Sequence, residues 1–136
     1  GAVSGEAAAV RVRPIPNRIG QILHTALSGR LMPDGTRAAA RYNLAVTLDE
    51  SERETGFRLD ETATRRNFRL AARYRLTQPE TGRILLQGRV QTTNSANILD
   101  QPYATEIAER DARERGARDL AAKIARDVSS ALTTTK

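Results

Sequence analysis

The side chains with the clearest chemical potential are arginines in the middle of the chain. Between Thr62 and Leu99 there are seven arginines and one acid, Glu80, so this segment carries +6, the net charge of the whole chain. The arginines are Arg65, Arg66, Arg69, Arg73, Arg75, Arg83 and Arg89. A guanidinium holds phosphate in a two-pronged fork and stays charged at physiological pH. The cluster predicts either a surface for an anionic partner or a solvated strand face that protects the sheet from aggregation.

Residue types that support catalysis or metal binding are sparse. The chain has no cysteine and a single histidine, His24, for which we expect a boundary or capping position. Residues 49–54 contain four acids, but they lack the spacing and glycine of a calcium loop, so a solvated strand end is expected. There is no glycine-rich phosphate loop and no nucleophile–histidine pair. We therefore predict a protein that is not an enzyme, without a metal site or cofactor.

The arginines are positioned by two stretches in which apolar and polar residues alternate. Alternation with a period of two predicts strands that bury one face. In residues 64–77 the inward set is Phe68, Leu70, Ala72, Tyr74 and Leu76, and the outward set includes Arg69, Arg73 and Arg75. In residues 83–93 the inward set is Ile84, Leu86, Gly88 and Val90, and the outward set includes Arg89. Residues 78–82, with Pro79 and Gly82, predict the hairpin loop between these strands.

The remaining elements complete an α+β fold. A short strand at residues 8–12 is stopped by prolines at 14 and 16. A helix follows, capped by Asn17 and ended by Gly29. Another strand begins at Tyr42, with its charged end at 49–54 forming either strand or loop. After a polar loop at residues 94–101, a long helix starts near Pro102. The order β-α-β-β-β-α predicts a two-layer sandwich, with two helices on one face of a four-stranded mixed sheet.

The long last helix is stabilised by its own charges in this interpretation. Five acid–base pairs are spaced four residues apart, and each contributes a few tenths of a kcal/mol. They are Glu106–Arg110, Glu109–Arg113, Asp111–Arg115, Glu114–Arg118 and Asp119–Lys123. The apolar stripe consists of Ile107, Leu120, Ile124, Val128 and Leu132, with alanines between. Gly116 in the middle of the helix predicts a bend or a close packing contact.

Length and termini bound the domain organisation. The chain of 136 residues, 39% of them apolar, predicts one domain over residues 1–136. Residues 1–7 are expected to form a flexible tether, and residues 133–136 to fray. Because the chain begins at Gly1 rather than methionine, we expect it to be processed or trimmed, so that a lipid-bearing N-terminus would have been lost.

A family resemblance emerges at residues 93–105, which read TNSANILDQPYAT, and at residues 108–121, which read AERDARERGARDLA. Together with the order of elements along nearly the whole chain, they resemble the LptE family of lipopolysaccharide-assembly lipoproteins. The resemblance implies a protein anchored by an acylated N-terminal cysteine to the inner leaflet of the Gram-negative outer membrane, on its periplasmic side. It also implies that the protein plugs the lumen of the β-barrel LptD, helps that barrel to fold and binds lipopolysaccharide.

This resemblance indicates which anionic ligand the arginines would bind. Lipopolysaccharide carries phosphates, so we expect Arg69, Arg73, Arg75 and Arg89 to form an anion-binding face. Two loops are expected to contact the barrel wall, because loops on a rigid scaffold often carry recognition. Their candidate residues are Pro79, Glu80, Asn94, Asn97 and Asp100.

A nucleic-acid-binding sheet is the alternative for the same arginines. Sheets that bind RNA combine basic residues with exposed aromatic rings on which bases stack. Here Phe68 and Tyr74 share the inward face, opposite the arginines, and this parity argues against base stacking. We therefore expect no nucleic acid among the partners.

Overall fold

The fold is described from a computed structural model, which describes residues 10–31, 41–55, 64–98 and 102–134. Its strands are β1 (Val10–Val12), β2 (Tyr42–Thr55), β3 (Thr64–Gln78) and β4 (Arg83–Ile98). Its helices are α1 (Arg18–Leu31) and α2 (Pro102–Thr134). The predicted tether at residues 1–7 lies outside the described residues. Helix α2 continues to Thr134, through the first two residues of the tail that was expected to fray.

The sheet has the strand order β1-β2-β3-β4. β1 pairs with β2 in parallel, whereas β2, β3 and β4 form an antiparallel meander. Both helices pack against the same face of this mixed sheet and against each other. The predicted α+β sandwich and its β-α-β-β-β-α order are confirmed.

The core lies between the sheet and the two helices, and aliphatic side chains fill most of it. The largest fully buried side chains are Ile19, Leu23, Leu27, Leu31, Leu44, Leu70, Leu76, Leu120 and Ile124, with Val10 and Val128. The inward set predicted for β3 is buried in full. Ala71, which the same alternation predicts to point outward, is also buried. It lies opposite Gln91, and the side chain of Arg69 crosses beside it to bond that of Gln91.

Ile84 is a correction to the predicted inward face of β4. The pairing of β3 with β4 shifts between Leu76 and Thr77, so that Thr77 lies opposite Ile84 rather than Leu85. A β-bulge of this kind moves the residues beyond it to the other face. Ile84 therefore shares the open face with Thr77 and is 48% exposed, while Leu85 packs against the core.

The predicted loop at residues 94–101 is also wrong over most of its length. β4 continues to Ile98, and Asn94 and Asn97 pair with Phe68 and Arg65 of β3. The polar composition wrongly predicted a loop because one face of this strand extension is exposed to solvent. The other face carries Ala96, which is buried with Phe68 of β3 and Ala112 of α2. Residues 99–101, including Asp100, lie outside the described residues.

The helix boundaries and faces differ from the prediction in two places. α1 does not end at Gly29 but continues to Leu31. The side chain of Leu31 is buried in the core, and its burial stabilises the extra half turn. Ile107 of α2 was expected in the apolar stripe but is 51% exposed. Over this part of α2 the residues that pack on the sheet are Ala108 and Ala112, one turn apart. Ile107 precedes that face by about 100° of rotation.

Gly116 is a close packing contact. A Cβ atom there would lie 2.8 Å from Leu70 Cδ1, 3.0 Å from Asn94 Nδ2 and 3.2 Å from Thr92 Oγ1. The Thr92 hydroxyl donates a hydrogen bond of 3.4 Å to the Gly116 carbonyl. Helix α2 therefore approaches β3 and β4 more closely here than any larger residue would permit.

The charges on α2 connect it to other elements more than the predicted pattern implied. Arg115 pairs with Asp111 and Arg118 with Glu114, as predicted. Glu109, however, accepts from Arg66 of β3, and Arg113 pairs with Glu50 of β2 at 2.8 Å. Glu114 also accepts from Arg18 of α1, which holds the pKa of its carboxyl below the usual value. The acids of the helix surface thus find partners on the sheet and on α1.

His24 occupies the boundary position that the sequence predicted. Its Nε2 lies 3.0 Å from the Val12 carbonyl oxygen. Because a carbonyl can only accept, Nε2 must carry the proton in this contact. The histidine thereby ties the middle of α1 to the end of β1.

Tyr74 connects the sheet to α2 from within the core. Its hydroxyl donates a partly buried hydrogen bond of 2.6 Å to Asp127, and burial together with this bond raises the pKa of Tyr74. We expect Tyr74→Phe to lower the free energy of unfolding by about 1 kcal/mol, the usual net value of a hydrogen bond. Urea denaturation measures the difference. Tyr103→Phe is the control, because Tyr103 is 76% exposed and its replacement is expected to be neutral.

Candidate anion-binding site

The candidate site is the sheet face that the helices leave uncovered, which we call the open face. Because side chains alternate along a strand, the odd-numbered residues of β3 lie here while the even-numbered ones contact the helices. Arg69, Arg73, Arg75 and Arg89 are all exposed. The structure therefore places the four arginines that were predicted to bind an anion on one surface.

Within this surface the arginines are close neighbours. Arg73 and Arg89 lie directly opposite each other on β3 and β4, and Arg75 lies opposite Gln87. The Cβ atoms of two residues directly opposite each other on neighbouring strands are about 5 Å apart, and like charges at such positions repel each other. Arg69 lies further along β3 and donates to the Gln91 side chain at 2.7 Å. Arg73 and Arg89 thus form a centre where an anion would relieve repulsion.

A shallow hollow of about 550 Å³ adjoins this pair. Arg73, Arg75 and Arg89 line it, together with the short side chains of Ala45 and Thr47 on β2 and the amide of Gln87. Short residues beside long cations leave space above the sheet in which several guanidiniums can approach one group. The hollow is open, so a ligand there would stay partly in water.

The sheet separates its charges between its two faces. In β2 the even-numbered acids point to the helix side, where Glu50 pairs with Arg113 and Glu54 with Arg66 at 2.6 Å. In the described ranges, the register places one carboxylate on the open face, that of Asp49. No ion pair engages Arg73, Arg75 or Arg89 in the same ranges. The positive charge of this face is therefore available to a ligand.

The register adds three arginines that the prediction did not include. Arg65 is opposite Asn97, Arg53 is opposite Asn67, and Arg11 is opposite Asn43, and all three are exposed on the open face. For Arg65 the signal was present, because it has the same odd parity as Arg69. Arg53 and Arg11 could be added only once the pairing of β1 and β2 with their neighbours was known.

The predicted barrel-contact residues do not form a single surface. Pro79 and Glu80 are exposed in the turn between β3 and β4, where Gly82 adopts a φ of 72° and donates to Gln78. Asn97 is exposed near the opposite end of β4. Asn94 is half-buried beneath α2 beside Gly116. The hairpin and the far end of β4 are separated by most of the length of the strand.

Aromatic rings are absent from the open face within the described residues. Phe68 and Tyr74 are buried on the helix side, 4% and 6% exposed. The parity argument against base stacking is therefore supported by their burial. Groups of three or more potential metal ligands are likewise absent from the ranges described. Neither helix in those ranges has a stretch long and apolar enough to cross a membrane.

Comparison with solved structures defines the class of protein first. A lipoprotein from Caulobacter crescentus CB15 has 24% sequence identity and a TM-score of 0.78, covering 98% of each chain. A minor lipoprotein from Acinetobacter baumannii has 20% identity and a TM-score of 0.64, covering 89% of this chain and 91% of its own. Rare lipoprotein B from Shewanella oneidensis has 11% identity and a TM-score of 0.54, covering 89% and 92%. The fold is thus one that bacterial lipoproteins use.

The sequence then identifies the family. The profile of the family LptE, lipopolysaccharide-assembly, matches residues 7–130. This chain belongs to the LptE family, and the resemblance drawn from residues 93–121 is confirmed. The family comprises outer-membrane lipoproteins that take a non-enzymatic part in lipopolysaccharide assembly. No curated protein matches the chain by sequence.

Proposed function

We propose that this protein plugs the LptD β-barrel, assists its assembly and binds lipopolysaccharide through the open face. The observation that carries the binding proposal is the facing pair Arg73 and Arg89, with Arg75 and Arg69 beside it and no described ion pair neutralising the central pair. Phosphate groups of lipopolysaccharide match such a surface, because a guanidinium donates two parallel hydrogen bonds to them. An N-terminal lipid would hold the protein at the periplasmic face of the outer membrane.

Contacts with the barrel are proposed at exposed positions away from the arginines. Pro79 and Glu80 protrude at the β3–β4 turn, and Asn97 is exposed at the other end of the sheet. Of the other two candidates, Asn94 is half-buried and Asp100 lies outside the described residues. A protein enclosed by a barrel would use both ends of its sheet in this way.

Co-expression tests the plug proposal. The full-length lipoprotein would be expressed with its cognate outer-membrane barrel, and the complex would be purified in detergent through a tag on one partner. A stoichiometric, detergent-stable complex is the expected result. If the barrel assembles and purifies alone at full yield, the plug proposal is wrong.

We expect replacement of Arg69, Arg73, Arg75 and Arg89 by glutamine to weaken lipopolysaccharide binding at least about tenfold, since several charge-assisted hydrogen bonds are lost. The matched control replaces four exposed arginines of α2 by glutamine, which removes the same net charge. They are Arg110, Arg115, Arg118 and Arg126. Binding is measured by titration with fluorescently labelled lipopolysaccharide, and circular dichroism verifies folding.

The comparison of the two variants decides between specific and general attraction. Equal weakening by both variants would mean that net charge alone attracts the ligand, and the open face would not be the site. A single-stranded RNA probe tests the alternative. If RNA binds tightly and only the open-face variant loses it, the arginines serve nucleic acid instead.

A further inference from the structure

Strand β2 has a long edge that β1 covers for only three residues. β1 pairs with Tyr42, Asn43 and Leu44, and the last bond is donated by the Arg13 amide to the Leu44 carbonyl at 2.9 Å. Prolines at positions 14 and 16 cannot continue the ladder, because they have no amide hydrogen. In the described part of the chain, β3 is thus the only strand paired with residues 45–55.

The direction of the backbone groups at this edge follows from the Leu44 bond. In a strand, the amide and carbonyl of one residue point to the same side, and the side alternates along the chain. Since Leu44 points toward β1, the edge beyond it presents the backbone groups of Val46, Leu48, Glu50 and Glu52. The odd-numbered residues between them point toward β3, with which they pair.

A cleft lies beside the first part of this edge. It has a volume of about 300 Å³ and is lined by Ile15, Pro16, Val46, Leu48 and Glu50, with Asn17 and Thr47. Its apolar wall comes from Ile15 and Val46, which are buried, and from Leu48, which is half-buried. A strand added at an edge places every second side chain on one face, and an apolar one would enter this cleft.

The charge of the edge selects among possible occupants. Residues 49–54 contain the acids Asp49, Glu50, Glu52 and Glu54. Two of these are engaged by Arg113 and Arg66, whereas Asp49 and Glu52 are exposed and make no ion pair within the described ranges. Antiparallel pairing of residues 49–52 with the same residues of a second copy would place acids opposite acids, which is destabilising. A basic partner matches this edge, and a second copy of the chain does not.

The opposite edge of the sheet is different. On β4 the Gln91 carbonyl accepts a hydrogen bond of 3.0 Å from Lys123 of α2. A lysine at an edge is a common device against further pairing. In the part of the structure that is described, no side chain covers the edge of β2 in this way. Its negative charges disfavour pairing with a second copy of the same edge, but they attract a basic segment.

We propose that residues 46–52 of β2 accept an extended basic segment of a partner protein as an additional strand, in line with β1. Its main chain bonds to the even-numbered residues of β2, as in other complexes formed by strand addition. Apolar side chains opposite Val46 and Leu48 occupy the cleft, and lysine or arginine opposite Asp49 and Glu52 supplies the charge. This edge adjoins the hollow of the open face at Thr47. Peptide binding is measured without lipopolysaccharide, so the inference does not depend on the proposed function.

The probe is a fluorescein-labelled heptapeptide with the sequence VTVKTTK in one-letter code, written for the parallel orientation of β1 with its first valine opposite Val46. We expect saturable binding in a titration that reaches about 1 mM, an affinity typical of a weak peptide complex. Absence of saturable binding over that range overturns the proposal. A second peptide, N-methylated at two of the residues whose amides would bond to β2, should bind about thirtyfold more weakly, because two hydrogen bonds are lost.

Charge reversal on the protein tests selectivity. Asp49→Lys together with Glu52→Lys should weaken binding about fivefold, since two exposed ion pairs are lost. Glu106→Lys together with Asp119→Lys, at exposed positions of α2, makes the same change in charge and should leave binding unchanged. If this α2 variant weakens binding as much as the β2 variant, general electrostatic attraction explains the result and the proposal is wrong.

Hydrogen exchange measured by NMR supplies the structural readout. Peptide binding should slow exchange at the amides of Val46, Leu48, Glu50 and Glu52, and leave the amides between them, already bonded to β3, unchanged. Uniform or absent changes along β2 contradict strand addition. Protection of the same four amides without peptide, with a dimer in sedimentation, would assign the edge to a second copy and overturn the proposal.

Discussion

Replacing Gly20 with alanine is expected to lower the free energy of unfolding by about 2 kcal/mol, the largest effect we predict for one methyl group. A Cβ atom at this position in α1 would lie 2.7 Å from Ile15 Cγ2 and 3.0 Å from the Ile15 carbonyl oxygen. Ile15 is buried between two prolines, so neither its side chain nor its backbone can move without disturbing the core. Alanine is the better helix former by about 1 kcal/mol, and the clash exceeds that gain.

Gly29→Ala is the matched control in the same helix. No atom lies within 4 Å of a Cβ atom built there, and the residue is exposed. With no clash, the substitution should raise the free energy of unfolding by about 0.5 kcal/mol through helix propensity near a helix end. Urea denaturation followed by circular dichroism measures both variants. Stabilisation by both substitutions would contradict the close approach of α1 to Ile15.

Replacing Gly116 with alanine is expected to lower the free energy of unfolding by about 1 to 2 kcal/mol. The nearest atom to the added methyl group is Leu70 Cδ1, at 2.8 Å. A leucine side chain can rotate more easily than a backbone can move, but Leu70 is only 1% exposed and has little space to enter. The predicted loss is therefore smaller than at Gly20, although helix propensity again favours alanine.

A double variant provides the check on the Gly116 prediction. If the clash with Leu70 is the cause, Leu70→Val should recover part of the stability lost in Gly116→Ala, because the shorter side chain removes the overlapping atom. The coupling in a double-mutant cycle should then be clearly different from zero. Simple additivity of the two substitutions would locate the cost elsewhere, for example at Asn94 or Thr92.

The two glycines lie at close contacts between the helices and the rest of the core. Gly20 sets α1 against the segment that leaves β1, and Gly116 sets α2 against β3 and β4. Both helices therefore cover one face of the sheet closely and leave the other to the arginines. The proposed anion-binding face depends on this one-sided packing, because its arginines on β3 are exposed while the even-numbered residues beside them are covered by the helices.

Alternation along the strands was sufficient to predict the four-arginine surface. Polar and apolar residues alternate without interruption from Phe68 to Leu76, apart from Ala71, so the face of each arginine could be assigned without coordinates. The order of the elements followed in the same way from helical and strand periodicity. These are local properties, and a short stretch of sequence contains all the information that they require.

The tertiary structure alone decided which distant residues meet. The bulge beside Thr77 turned Ile84 outward, the extension of β4 paired Asn94 and Asn97 with β3, and Glu109 and Arg113 bonded to the sheet rather than to each other. Each outcome depends on the relative position of two elements far apart in the chain, which is set by the register of the sheet and the depth of helix packing. Periodicity fixes the face of a residue within its own element, whereas its partner on another element is chosen by the packing of the whole core.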